Sequence, residues 1–76
     1  MKMELLILKQ KDSYVRYKDG EYLFCGMDKA SVFPMSKIQE VKDHILNLQN
    51  NGFPEATIGK LIIEEVPFNV DEGIEH

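Results

Sequence analysis

The sequence predicts an α+β fold: a three- or four-stranded, mainly antiparallel sheet with one helix packed on one face. Three observations predict it. An Asp19-Gly20 dipeptide separates two short segments rich in aromatic residues, as in a β-hairpin. A stretch of helical periodicity follows between Ser36 and Gly52. Apolar runs near both ends of the chain have the length of buried strands. The expected order is β-β-β-(β)-α-β.

The chain has 76 residues, 43% of them hydrophobic and 29% charged, a composition typical of a folded protein. A chain of this length has room for one core, so we expect a single domain over residues 1–70. The remaining residues, 71–76, are largely acidic, and we expect them to form a mobile tail.

The first predicted strand covers Met3–Lys9. Its centre, Leu5–Leu8, holds four successive apolar residues, which indicates burial on both faces of the sheet. This run is far shorter than the ~20 residues of a membrane span. We therefore expect no membrane segment and a cytoplasmic protein.

The next segment predicts a hairpin with a two-residue type I′ turn at Asp19-Gly20, since both positions of that turn need positive φ. The turn sets four pairs of residues opposite each other: Lys18 with Glu21, Tyr17 with Tyr22, Arg16 with Leu23, and Val15 with Phe24. Opposite residues share a face of the sheet, so Val15, Tyr17, Tyr22 and Phe24 should form one apolar patch. After a second turn, Ala30–Phe33 can add a short strand, and Pro34 prevents a helix from starting earlier.

Helix boundaries are indicated at both ends of the segment that follows. Ser36 with Gln39 forms an S-x-x-Q capping box, which predicts Ser36 as the N-cap. Gly52 occupies the C′ position of a Schellman motif, and Phe53 follows where it would reach Leu48. The apolar stripe of the helix consists of Ile38, Val41, Ile45 and Leu48.

The last predicted strand is Ile58–Val66, closed by Pro67. From these elements we expect a core made of Leu5, Ile7, Val15, Phe24, Phe33, Ile38, Val41, Ile45, Leu48, Phe53, Leu61 and Ile63.

Candidate catalytic and metal-binding residues are few, and each favours a structural role. Cys25 is the only cysteine, so neither an internal disulfide nor a cysteine-based zinc site is expected. His44 has no second ligand at metal-binding spacing and is interpreted as a solvated or half-buried structural residue. Glu64 and Glu65 are adjacent on a strand and point to opposite faces. No nucleotide-binding or hydrolase motif occurs. We therefore expect no enzyme activity, no cofactor and no small-molecule substrate.

Charge is unevenly distributed along the chain. Residues 1–42 carry eight basic and six acidic side chains, whereas residues 43–76 carry one lysine and seven acidic side chains. Within the basic half, cations and aromatic rings alternate at Lys9, Lys11, Tyr14 and Arg16, the combination that single-stranded nucleic-acid binders use. The overall charge of −4 favours a solvated hairpin face instead. Nucleic-acid contact is therefore an alternative hypothesis.

The order of short motifs suggests a relationship. They are Tyr14-Val15, Lys18–Leu23, Ala30–Phe33, Ile38–Leu48 and Leu61–Glu65. This pattern resembles that of short uncharacterised proteins of bacterial genomes and their phages or prophages. The resemblance implies a strand–turn–strand–helix–strand arrangement, and it implies no catalytic or binding residues.

The leading functional hypothesis is a non-enzymatic protein-interaction module that binds a protein partner or a second copy of itself. It depends on surplus apolar surface, because one helix covers only one face of a sheet whose strands are apolar on both faces. The expected interface residues are Leu6, Leu8, Leu23 and Ile62. A further alternative is an inhibitor of host machinery that mimics a polyanion, with Glu64, Glu65, Asp71 and Glu72 clustered on one surface.

Overall fold

The computed structural model describes residues 2–68. Its strands are β1 (Lys2–Gln10), β2 (Ser13–Lys18), β3 (Glu21–Cys25), β4 (Val32–Pro34) and β5 (Ala56–Glu64), with helix α1 (Ile38–Asn50) between β4 and β5. All strand pairs are antiparallel, and the five strands form one sheet with one helix. The predicted α+β class and the element order are confirmed. The predicted tail, 71–76, lies outside the described residues, as do residues 69 and 70.

Strand β1 is the centre of the sheet. Along one edge it pairs with β5 over its whole length, from Lys2 with Glu64 to Gln10 with Ala56. Along the other edge it pairs with β2 only at Lys9 and Gln10, and with β4 at Leu5–Ile7. Two partners therefore share that edge, and β3 lies outside β2.

Ser31 lies where the pairing partner of β1 changes from β2 to β4. Its backbone N–H donates to Val15 O, and its Oγ accepts from Tyr17 N at 2.8 Å and donates to Tyr17 O. These bonds satisfy main-chain groups of β2 that β1 no longer reaches.

The hairpin prediction is confirmed in register and turn. Asp19 and Gly20 both have positive φ, 53° and 80°, as a type I′ turn requires. The strand pairs are those expected, from Lys18 with Glu21 to Val15 with Phe24. The shared face turns toward the helix, although Tyr17 and Phe24 stay 39% and 48% exposed.

The end of the helix follows the predicted motif, whereas its start does not. Gly52 has φ +100°, and Phe53 N donates to Leu48 O at 3.0 Å, the long-range bond of a Schellman motif. At the other end Ser36 lies inside a 3-10 turn, Met35–Lys37, that starts directly after Pro34. It makes no capping hydrogen bond, and Gln39 Nε2 instead donates to Asp43 Oδ1. The predicted capping box is wrong, because an N-cap must be extended and Ser36 is already helical.

The hydrophobic core lies between α1 and the face of the sheet that β1 shares with β2 and β5. Its buried members are Leu6, Leu8, Val15, Val41, Ile45, Leu48 and Ala56, with Tyr22, Phe33, Phe53 and Ile58 packed against them. Of the predicted core, Phe24, Ile38 and Ile63 are exposed, and Leu5 and Leu61 are only partly buried.

Ile7 is buried at 1% exposure, yet it does not belong to this core cluster. It lies opposite Gly59 of β5, and a Cβ at Gly59 would come within 3.1 Å of Ile7 Cγ2. The missing side chain at Gly59 thus leaves room for Ile7 on the face away from the helix.

Candidate functional site

The sheet has one face against α1 and one face away from it. Side chains alternate along a strand, so the burial of Leu6 and Leu8 beneath α1 places Leu5 and Ile7 on the other side. Paired residues share a face, which assigns the remaining strands. We call the face away from the helix the open face. Its exposed large apolar side chains are Met3 (56%), Leu23 (49%), Val32 (45%) and Ile63 (48%).

The least covered part of the sheet is its two-stranded end, which we define as Lys2–Glu4 of β1 with Ile62–Glu64 of β5. Among the described residues, β4 reaches β1 only as far as Leu5, so no third strand pairs with this end. Met3 and Ile63 point to the open face, and Ile62, at 60% exposure, points to the helix side. The two-stranded end therefore exposes an apolar side chain on each of its two surfaces.

Two exposed ion pairs lie on the helix side of this end. Lys2 Nζ is 3.8 Å from Glu64 Oε2, and Lys60 Nζ is 3.5 Å from Glu4 Oε2. Both pairs link β1 to β5, and all four side chains are at least 47% exposed. Such pairs contribute at most ~1 kcal/mol to folding, and their charges stay accessible to a partner.

The outer edge of β5 is also accessible. Within residues 2–68, β5 pairs with β1 alone. Gln49 Nε2 of α1 donates to Ala56 O at the start of the strand. Between Lys60 and Glu64, the only hydrogen bonds described for the backbone of β5 are those to β1. A long free strand edge presents N–H and C=O groups that can pair with another chain.

The predicted interface residues divide into two groups. Leu23 is exposed on the open face, as expected, whereas Ile62 is exposed but lies on the helix side of the two-stranded end rather than on the predicted face. The placement of Leu6 and Leu8 on the uncovered face is wrong, since they are 4% and 0% exposed beneath α1. The apolar run Leu5–Leu8 fits either orientation, and the structure adopts the one opposite to the prediction, which corresponds to a shift of one residue.

A signal for the correct orientation was present in the sequence. Lys11 and Asp12 close a two-residue turn, with Gln10 opposite Ser13 and Lys9 opposite Tyr14. Extending this alternation puts Leu8 on the same face as Val15, which was already assigned to the core.

Three of the four predicted nucleic-acid contacts share the open face. Lys9 Nζ lies 5.3 Å from the centre of the Tyr14 ring, in cation–π geometry, and Arg16 follows two residues later on the same face. Lys11 is separate, because it lies in the turn and pairs with Glu55 at 3.2 Å. Binding of nucleic acid by these residues stays a prediction.

His44 is the residue whose role the sequence did not reveal. It is 8% exposed in the apolar stripe of α1, and its Nδ1 is joined to Tyr22 Oη by a hydrogen bond of 2.8 Å. The Tyr17 and Phe33 rings also pack on it, with centroid distances of 4.3 and 5.7 Å. This aromatic cluster attaches the β2–β3 hairpin to the helix. Its position at i+3 from Val41 was a signal of burial.

Other candidate groups do not assemble into a site. Glu64 pairs with Lys2, while Asp71 and Glu72 of the proposed acidic surface lie outside the described residues. Cys25 is half-buried on the open face, opposite Tyr14. A surface hollow is lined by Glu65, Val66 and Pro67, three consecutive residues of one segment. Across residues 2–68, no three His, Cys, Asp or Glu side chains come close enough together to hold a metal ion.

Comparisons of the chain with protein-family models, with curated protein sequences and with solved structures give no match. In the part of the chain that the structure describes, no helix has the length and apolar character needed to cross a membrane.

Proposed function

We propose that this chain is a protein-interaction module that acts by binding and self-associates through the sheet surface that α1 leaves uncovered. The observation that supports it is the two-stranded end, where Met3, Ile62 and Ile63 are 56%, 60% and 48% exposed. A two-stranded ribbon is only marginally stable in water by itself. Pairing or packing with another chain would bury these side chains and stabilise the ribbon.

The open face extends the same surface across the sheet. Leu23 and Val32 add exposed apolar area on the open face, and two ion pairs lie on the helix side of the two-stranded end. An apolar centre with a charged rim is the usual composition of a protein–protein contact. Exposed apolar surface with polar residues beside it is a feature of protein–protein interaction sites.

Sedimentation equilibrium over a wide concentration range tests the proposal. We expect a reversible dimer for the unaltered chain. Ile63→Lys, which puts a charge into the proposed contact, should raise the dimer dissociation constant at least ~10-fold, equivalent to about 1.4 kcal/mol.

The matched control is Leu46→Lys. Leu46 is 56% exposed on the outer side of α1. The substitution therefore makes the same chemical change, from an apolar residue to lysine, away from the sheet. Its dissociation constant should equal that of the unaltered chain. A chain that stays monomeric at every concentration contradicts the proposal, and so does equal weakening by both substitutions.

Nucleic-acid contact is a second candidate, supported by the shared orientation of Lys9, Tyr14 and Arg16. Titration with a single-stranded oligonucleotide should then show an affinity that falls steeply with salt and that Arg16→Ala weakens. Lys37→Ala, a change of an exposed cation outside the sheet, is the control. Absence of binding at low salt excludes this candidate.

A further inference from the structure

We propose that the partner at the two-stranded end is a second copy of the chain, whose β5 pairs antiparallel with β5 so that Ile62 lies opposite Ile62. The two sheets then join into one continuous sheet across a two-fold axis. This inference rests on the proposed self-association and specifies its geometry.

Strand β5 has a free outer edge among the described strands. β5 has nine residues without proline, and its outer edge has no strand partner within the described part of the chain. In proteins that stay monomeric, edge strands are usually short, bulged or protected by proline and inward-pointing charges. β5 is long and apolar near its end, with Leu61, Ile62 and Ile63 in succession.

Symmetry limits the possible registers. A two-fold axis perpendicular to the sheet keeps the open face of both copies on the same side. Residues opposite each other must then belong to the same face, which requires one residue of β5 to lie opposite itself. Each register is thus defined by the residue on the axis.

Charge selects among these registers. An axis at Lys60 or at Glu64 puts like charges directly opposite each other, which is destabilising. An axis at Leu61 places Lys60 opposite Ile62 and compensates no charge. With the axis at Ile62, Lys60 lies opposite Glu64 of the second copy, twice by symmetry, and Leu61 lies opposite Ile63 of the second copy.

The ion pairs within each chain extend this pattern. Lys2 already pairs with Glu64, and Lys60 pairs with Glu4. Across the interface the charges would follow the order Lys2, Glu64, then Lys60 and Glu4 of the second copy. Every neighbour in this row has the opposite sign, so the edge is self-complementary.

The helix leaves room for this pairing. α1 contacts the first half of β5, where Ile58 packs against the core and Gln49 bonds to Ala56 O. With the axis at Ile62, the Ile58 residues of the two copies are eight residues apart along the strand, which is ~26 Å. A helix is ~10–12 Å wide, so the parts of α1 above the two Ile58 residues lie clear of each other.

Charge reversal tests the register. Lys60→Glu and Glu64→Lys should each raise the dimer dissociation constant at least ~10-fold, because each creates two like-charge pairs across the axis. A mixture of the two variants should form a heterodimer with restored affinity, since both cross-axis pairs are then of opposite sign. Circular dichroism and thermal unfolding of each variant check that the exposed substitutions leave the fold intact.

Spin labelling tests the same geometry independently of charge. Thr57→Cys in a Cys25→Ser background places one label per chain on an exposed strand residue. An axis at Ile62 predicts a backbone separation of ~33 Å along the strand between the two labelled positions, whereas an axis at Lys60 predicts ~20 Å. Double electron–electron resonance spectroscopy of the spin-labelled dimer measures this distance.

The outcomes separate the two proposals. Restored affinity in the mixture and the longer label distance support β5 pairing at Ile62. A dimer that is insensitive to charge reversal, or that Leu23→Lys disrupts from the far side of the sheet, overturns this register and leaves self-association standing. A monomer at all concentrations overturns both.

Discussion

The middle of β1 and its first residues belong to one strand, yet they have opposite environments. Leu8 is fully buried beneath α1, whereas Met3, five residues earlier, is 56% exposed. Both residues are paired with β5, so backbone pairing does not explain the difference. What differs is the covering: Leu8 faces α1, whereas Met3 points to the open face and lies beyond the part of β1 that β4 pairs with. Burial here is decided by neighbours rather than by the hydrophobicity of the strand.

The largest expected effect comes from truncating one residue in each environment. Leu8→Ala removes a side chain with no exposed surface and should lower the free energy of unfolding by ~2–5 kcal/mol, through lost burial and the cavity left behind. Met3→Ala on the same strand should change it by less than ~0.5 kcal/mol. Urea denaturation of both variants at low protein concentration measures the contrast. Equal losses would mean that the two parts of β1 are not different in the monomer.

A second effect concerns the helix that covers the middle of the strand. Gly52→Ala places a Cβ at φ +100° and should cost ~1 kcal/mol or more, because left-handed backbone is strained for alanine. Asn50→Ala, within the last turn of α1, is the control and should be neutral within ~0.5 kcal/mol. Denaturant midpoints compare them. A neutral Gly52→Ala would show that the Schellman stop does not hold Phe53 in place.

A smaller effect tests the link between the hairpin and the helix. Tyr22→Phe removes the hydroxyl bonded to His44 Nδ1 and should cost ~0.5–1.5 kcal/mol, because it leaves a buried polar atom without its partner. Tyr17→Phe is matched to it, since the Tyr17 ring also packs on His44 but its hydroxyl makes no described hydrogen bond. In thermal unfolding, the midpoint temperature should fall for Tyr22→Phe only. A similar fall in both variants would contradict the hydrogen bond between Tyr22 and His44.

The smallest effect is expected at the start of the helix. Ser36→Ala should change the free energy of unfolding by less than ~0.5 kcal/mol, because the serine makes no capping bond. A capping serine would instead contribute ~1 kcal/mol. Denaturation at fixed pH distinguishes the two values, and a loss near the larger one would restore the capping box.

Local signals were sufficient for a large part of the fold. Asp19-Gly20 specified both the turn and the register of β2 with β3, because positive φ at two adjacent positions allows one hairpin geometry. Gly52 specified the end of α1 for the same kind of reason. In each case the information lies within a few residues of the feature, so neighbouring elements are not needed to interpret it.

The candidate site depended on information of longer range. Leu23 is exposed on the open face as predicted, whereas Leu6, Leu8 and Ile62 lie on the helix side of the sheet instead of the predicted face. Alternation along a uniformly apolar run has two equivalent phases, so the run by itself does not distinguish them; the pairing of β1 with β2 and the packing against α1 do. The free edge of β5 is likewise a property of strand order, which two distant segments decide together.

By itself, then, the sequence determined the element order, the hairpin register and the end of the helix, because sterics within a few residues dictate all three. The tertiary structure decided what covers each face of β1, why Ser36 does not cap the helix, and which aromatic rings pack on His44. Those outcomes depend on which elements meet. A β-strand, a serine and a histidine each tolerate several environments, and the contact that forms selects one.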